Sequence, residues 1–204
     1  MRHSRGGQQE AGNHQGQGTL NPTAASLLGS ADPEPYGPGE RSSPSPVLVL
    51  GMGNILLEDE GLGIHALQLL RQRYVVPPEV EFLDGGTSGM ALVDMISKRR
   101  HLLVLDAVQT GDPPGTLVKM SDQDVPVYFG LRVTPHQLGL SDVLASLNLT
   151  DEQPGSVTVI GLVPQSLEMS LDLTDHIRHS LDYLVEAAAS ELVRLGYPLS
   201  PNPE

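Results

Sequence analysis

Two short stretches, Val47 to Leu50 (VLVL) and Leu102 to Leu105 (LLVL), contain no polar residue at all. A strand with one wet face alternates apolar and polar side chains, so an unbroken apolar run of this length belongs to a strand covered on both faces. Such strands need helices above and below a mostly parallel sheet. The intervening sequence supplies them. After the first run, Leu62, Ala66, Leu69 and Leu70 recur at helical spacing; Val80 to Leu83 reads as a second strand leaving through Gly85-Gly86; Leu92, Met95 and Ile96 form the apolar stripe of a helix ending near Lys98-Arg99-Arg100. With 2 Phe, 5 Tyr and no Trp in 204 residues, the core must be built from aliphatic side chains.

The alternation then breaks. Nine residues, Ala107 to Gly115, separate the third strand from the apparent strand Thr116 to Met120, and they are rich in Gly and Pro. A parallel return normally needs a dozen or more residues, so this strand is expected to run antiparallel to the first three. Ser141 to Leu147 reads as a short helical stretch and Val157 to Val163 as a last strand interrupted by Gly161. Thr174 reads as the N-cap of a helix through Leu195, stopped by Gly196 and Pro198. The expected fold is a three-layer α/β/α sandwich around a mixed five-stranded sheet with one antiparallel strand. It occupies residues 47–197, with 198–204 as a short tail. Residues 1–46 carry eight Gly and six Pro, with Leu20, Leu27 and Leu28 as their large aliphatic residues. They are expected to form a disordered extension, since they lack the apolar area for a core. No run approaches the roughly 18 apolar residues of a membrane span, and no signal peptide is expected.

Charge and composition narrow the chemistry. The 12 basic and 25 acidic side chains give a net charge of -13, which disfavours nucleic acid and anionic lipid as partners. With no cysteine, disulfides, iron–sulfur clusters and thiol nucleophiles are excluded. Strand exits of an open α/β sheet converge on one crevice. Glu60 follows the first strand, Asp84 ends the second, Asp106 ends the third, and His136 lies in the polar loop after the fourth. Three carboxylates and an imidazole near one rim suit a divalent metal of borderline softness such as nickel or zinc. The same residues serve equally well as a helix-terminus complement, turn caps and an ordinary loop histidine. Gly51-Met52-Gly53-Asn54 also suggests a dinucleotide turn with Asp84 on the ribose, but Leu56 replaces its third glycine. Gly85-Gly86-Thr87-Ser88-Gly89 imitates a nucleophile elbow that Asp106 and His136 would complete, with Thr in the serine position. His176 and His179 are spaced to meet a metal, yet lie mostly off the helix's apolar stripe.

Taken together and in order, Val49 to Leu57, Asp59-Glu60-Gly61-Leu62-Gly63, Leu83-Asp84-Gly85-Gly86-Thr87, Asp106-Ala107 and Pro135-His136-Gln137-Leu138-Gly139-Leu140 resemble the nickel-iron hydrogenase maturation proteases. The resemblance covers Val47 to about Leu195; the long segment before Val47 departs from it. It implies a sandwich with one antiparallel strand, and an aspartic-type endopeptidase that trims the C-terminus of the hydrogenase large subunit. It also implies that Glu60, Asp106 and His136 bind metal and that Asp84 is catalytic or positions the substrate. The metal would be nickel carried by the client and bridged at recognition, or another divalent ion in isolation. The partner would be the large-subunit precursor, with no nucleic acid or membrane, and the protein a cytoplasmic monomer. A nickel-binding maturation factor that does not cut and a nucleotide-binding oxidoreductase are the alternative readings.

Overall fold

The computed structural model describes residues 45–122, 124–125 and 135–203, of which 135–138 are described through their backbone alone. The expected extension therefore lies outside the described residues, apart from Ser45 and Pro46. Those two are tied down: Arg99 donates to the Ser45 carbonyl at 2.7 Å, and the Arg100 and His101 amides donate to the Pro46 carbonyl.

Strand β1 (Val47–Met52) is buried along its whole length, as its composition requires. It lies between β3 (Val80–Gly86) and β4 (His101–Ala107) and is parallel to both. β6 (Val157–Leu162) extends the sheet beyond β4 in parallel, and β5 (Leu117–Ser121) closes that edge antiparallel to β6, giving the order β3-β1-β4-β6-β5. The nine-residue connection thus reverses the chain, as its length dictated.

Alternate side chains feed two cores. Val47, Val49, Leu103, Leu105, Ile160 and Leu162 face helices α1 (Leu62–Arg73) and α4 (Asp175–Arg194), meeting Leu62, Ala66 and Leu70 from one and Ile177, Leu184 and Ala188 from the other. Leu48, Leu50, Leu102, Val104 and Val159 face the opposite layer. There they meet Leu92 and Ile96 around the short helix α2 (Val93–Ile96), and Leu140, Val143 and Leu147 of α3 (Pro135–Leu149). Each fully buried leucine contributes about 1.5–3 kcal/mol. Thr174 caps α4 as expected, accepting from the Ile177 amide, and Gly196 follows its end at φ 93°.

Three features differ from the sequence reading. α3 begins at Pro135, six residues before the expected helical stretch, so His136 stands in the first turn of a helix rather than in a loop. Proline suits that position because a helix's first amide has no intrahelical partner. A two-stranded sheet joins β2 (Tyr74–Val75) to β7 (Ser200–Pro201), so part of the tail is paired. Arg99, read only as part of a basic helix end, is buried against the Met95 and Ser45 carbonyls and the Glu81 carboxylate. Among the described residues no helix is long and apolar enough to cross a membrane.

Candidate active site

Between β1 and α1 the chain makes a 3-10 turn, Glu58–Gly61, that packs against β4. Two glycines permit this. A Cβ on Gly63 would lie 2.1 Å from the Leu105 carbonyl and 2.5 Å from that of Met52, and one on Gly53 would lie 1.8 Å from the Glu60 carbonyl. The start of α1 is thereby pressed onto the last residues of β4, and Glu60 onto the exit of β1. Gly53 also donates to the Gly86 carbonyl at 2.9 Å, which ties the same corner to the exit of β3.

These contacts bring the turn of Glu60 to the rim formed by the strand ends that carry Asp84 and Asp106. Glu60 and Asp106 are 7% and 1% exposed, an unusual degree of burial for carboxylates at a strand exit. Asp106 pairs in register with Gly161, and its Oδ1 accepts from the following amide, Ala107, at 2.8 Å. By strand alternation it points to the layer that contains α3. The first turn of α3 comes to the same rim, because Gly139 meets Gly89 backbone to backbone just beyond the exit of β3. The backbone of His136 is therefore placed at this corner, while its side chain lies outside the described residues.

Asp84 differs from the other two carboxylates. It is exposed and pairs with Gly51, two strands from Asp106, which puts their backbones about 10 Å apart. Its Oδ1 accepts from the Gly86 amide at 2.9 Å and shapes the turn after β3. The other oxygen has no protein partner among the described residues. Thr87, the pseudo-nucleophile, is exposed beside this turn. Among the described residues no three His, Asp or Glu side chains gather as a metal cluster. His176, the other metal candidate, has its Nε2 2.9 Å from the Pro114 carbonyl.

Nothing in the sequence sets Asp59 apart from its acidic neighbours. It is fully buried, and its carboxylate accepts from the amides of Gln165 (2.9 Å), Ser166 (3.1 Å) and Thr174 (2.8 Å) and from the Thr174 hydroxyl. Its neighbour Glu58 has φ 47°, a left-handed conformation that costs about 1–3 kcal/mol in a non-glycine residue. That strained step turns Asp59 inward immediately before Glu60. His65, farther along α1, has a buried Nε2 without a partner among the described residues. Burial first, and the nearby Arg178 guanidinium second, push its pKa below the ordinary value, with Asp172 pulling the other way.

The dinucleotide reading fails on this geometry. Helix α1 does not follow β1 directly, and Glu58, Asp59 and Glu60 stand before its N-terminus, where a phosphate would have to bind. Residues 64–191 match the family model described as hydrogenase maturation protease. The chain belongs to that family. The Hydrogenase 2 maturation protease of Escherichia coli strain K12 is 42% identical over 156 residues, covering 76% of this chain and 95% of that protein. The hydrogenase expression/formation protein HupD of Rhodobacter capsulatus is 39% identical, over 74% of this chain and 71% of its own length. Among solved structures, the hydrogenase maturating endopeptidase HybD from E. coli superposes with a TM-score of 0.74 at 41% identity, covering 76% of this chain and 97% of its own. The chain is thus a peptidase with the three-layer fold of those relatives.

Proposed function

We propose that the peptidase removes the C-terminal extension of a nickel-iron hydrogenase large-subunit precursor after that precursor has received nickel. The observation that carries this reading is the pair of buried carboxylates, Glu60 and Asp106, on one rim of a hydrogenase maturation protease fold. Carboxylates on one rim supply oxygen ligands for a divalent cation. With the imidazole of His136, whose backbone stands at the same corner, they form a donor set suited to a borderline metal such as nickel, with positions left for groups of the substrate. Nickel is then cargo that arrives with the client, and recognition of it orients the adjoining peptide. Asp84, with one carboxylate oxygen unengaged among the described residues, accepts a proton from the attacking water or holds the scissile segment, in the manner of an aspartic-type peptidase. The protein acts as a cytoplasmic monomer on a soluble partner.

The test uses two preparations of the precursor, with and without nickel, incubated with the full chain and compared by C-terminal mass. Trimming of the loaded form alone is expected. Equal trimming of both would remove the nickel checkpoint, and binding of the loaded precursor without trimming would favour a maturation factor that does not cut. Glu60→Gln and Asp106→Asn are expected to lose processing of the loaded form by about a hundredfold while remaining folded by circular dichroism.

A further inference from the structure

We propose that a ledge formed by Ile55, Leu56, Leu167, Met169 and Leu171 is the docking surface for an apolar stretch of the precursor beside its cleavage point. The inference rests on the proposed function. Met169 is 88% exposed, Leu171 68% and Leu56 55%, a concentration of bare apolar side chains that a soluble domain rarely leaves without use. Their backbone is not free to turn them inward. Ser170 donates to the Leu56 carbonyl at 3.1 Å, Glu58 donates to the Ser170 carbonyl at 3.0 Å, and the Ser170 hydroxyl accepts from the Asp172 amide. The buried Asp59 carboxylate fixes both flanks through Gln165, Ser166 and Thr174. A surface already held in place loses little conformational entropy when a partner settles on it.

Position and pattern identify the occupant. The ledge is continuous with the site, since Ile55 packs against Gly61, the residue after Glu60: a Cβ there would meet the Ile55 Cα at 2.9 Å. Leu167, Met169 and Leu171 are all exposed on one short bent segment, which Ser170 bridges in parallel to Leu57. Exposed Glu168 and Asp172 interleave with them, in a chain of net charge -13. The fitting partner is therefore an apolar segment with basic, not acidic, neighbours.

The experiment compares the full-length wild type with the double variant Met169→Ser, Leu171→Ser and with Tyr183→Ser, a control on α4 that is also 68% exposed. Processing is measured over a range of nickel-loaded precursor concentrations, and precursor binding by calorimetry. The double variant is expected to raise KM and weaken binding by about tenfold or more, with kcat within about twofold of wild type and an unchanged melting temperature. The control is expected to match wild type in every measurement. KM and binding within about twofold of wild type in the double variant would overturn the proposal. If the wild type does not cut the precursor, the proposed function falls, but calorimetry still decides the ledge. Binding by wild type and its loss in the double variant sustains it; no binding by wild type overturns both.

Discussion

Replacing Asp59 by Asn changes one carboxylate oxygen into a donor and tests whether this side chain holds the site together. In the native structure Oδ2 accepts from the Gln165 and Ser166 amides and Oδ1 from the Thr174 amide, while the Thr174 hydroxyl reaches both. Whichever way the new amide is turned, its NH2 group faces at least one backbone N–H, so a hydrogen bond is lost and a buried amide is left without an acceptor. Loss of a charge-assisted bond costs about 1.5–3 kcal/mol and a stranded buried group a further 1–3 kcal/mol, so the expected destabilisation is about 2.5–6 kcal/mol. For a domain of this size that lowers the melting temperature by roughly 5–24 °C. Urea unfolding of the full chain measures the free energy. Hydrogen exchange at Gln165, Ser166 and Thr174 should quicken well beyond that of amides in β1. A loss below about 1 kcal/mol, or protection of those three amides equal to wild type, would show that the loop holds itself and that the carboxylate is incidental.

Glu191 offers a pH test: hydrogen bonds from Arg194 foremost, then Lys119, hold its pKa down to about 2 although burial pushes upward. A depressed carboxylate stabilises the fold above the unfolded value of 4.5, and that contribution of about 3 kcal/mol is lost as pH falls from 4.5 towards 2; unfolding of Glu191→Gln should lack this slope, and an unchanged slope would refute the assignment. Gly63→Ala forces a methyl onto the Leu105 and Met52 carbonyls and should cost about 2–4 kcal/mol and displace Glu60, read as lost processing in the protein that remains folded; normal stability would mean that α1 shifts freely.

The sheet was legible because its signals are local. VLVL and LLVL can satisfy their environment only with both faces covered, and nine residues cannot carry a crossover helix, so β1, β4 and the reversed β5 follow from the chain alone. The Thr174 cap is equally local. Other features depend on distant partners. Nothing within Glu58-Asp59-Glu60 says which acid will be buried by residues more than a hundred positions later, and Arg99 resembles any basic helix end until Ser45 and Glu81 fold over it. The early start of α3 was hidden because Pro135 reads as a loop residue unless it occupies a helix's first turn. For the candidate site, Glu60, Asp84 and Asp106 were legible as strand exits, whereas the burial of the first and third and the exposure of the second depend on how glycines seat the turns against the sheet.

The bonds from Asp59 to Gln165 and Thr174 span 106 and 115 residues of chain. During synthesis, therefore, β1, α1, β3 and β4 all emerge before the groups that Asp59 needs exist. Until the segment beyond β6 has left the ribosome, the turn bearing Glu60 lacks the bonds that Asp59 makes to Gln165, Ser166 and Thr174. Closing so long a loop makes this corner among the last parts of the molecule to become ordered. A nascent chain of this peptidase thus reaches a finished site only once the segment through Thr174 has been translated.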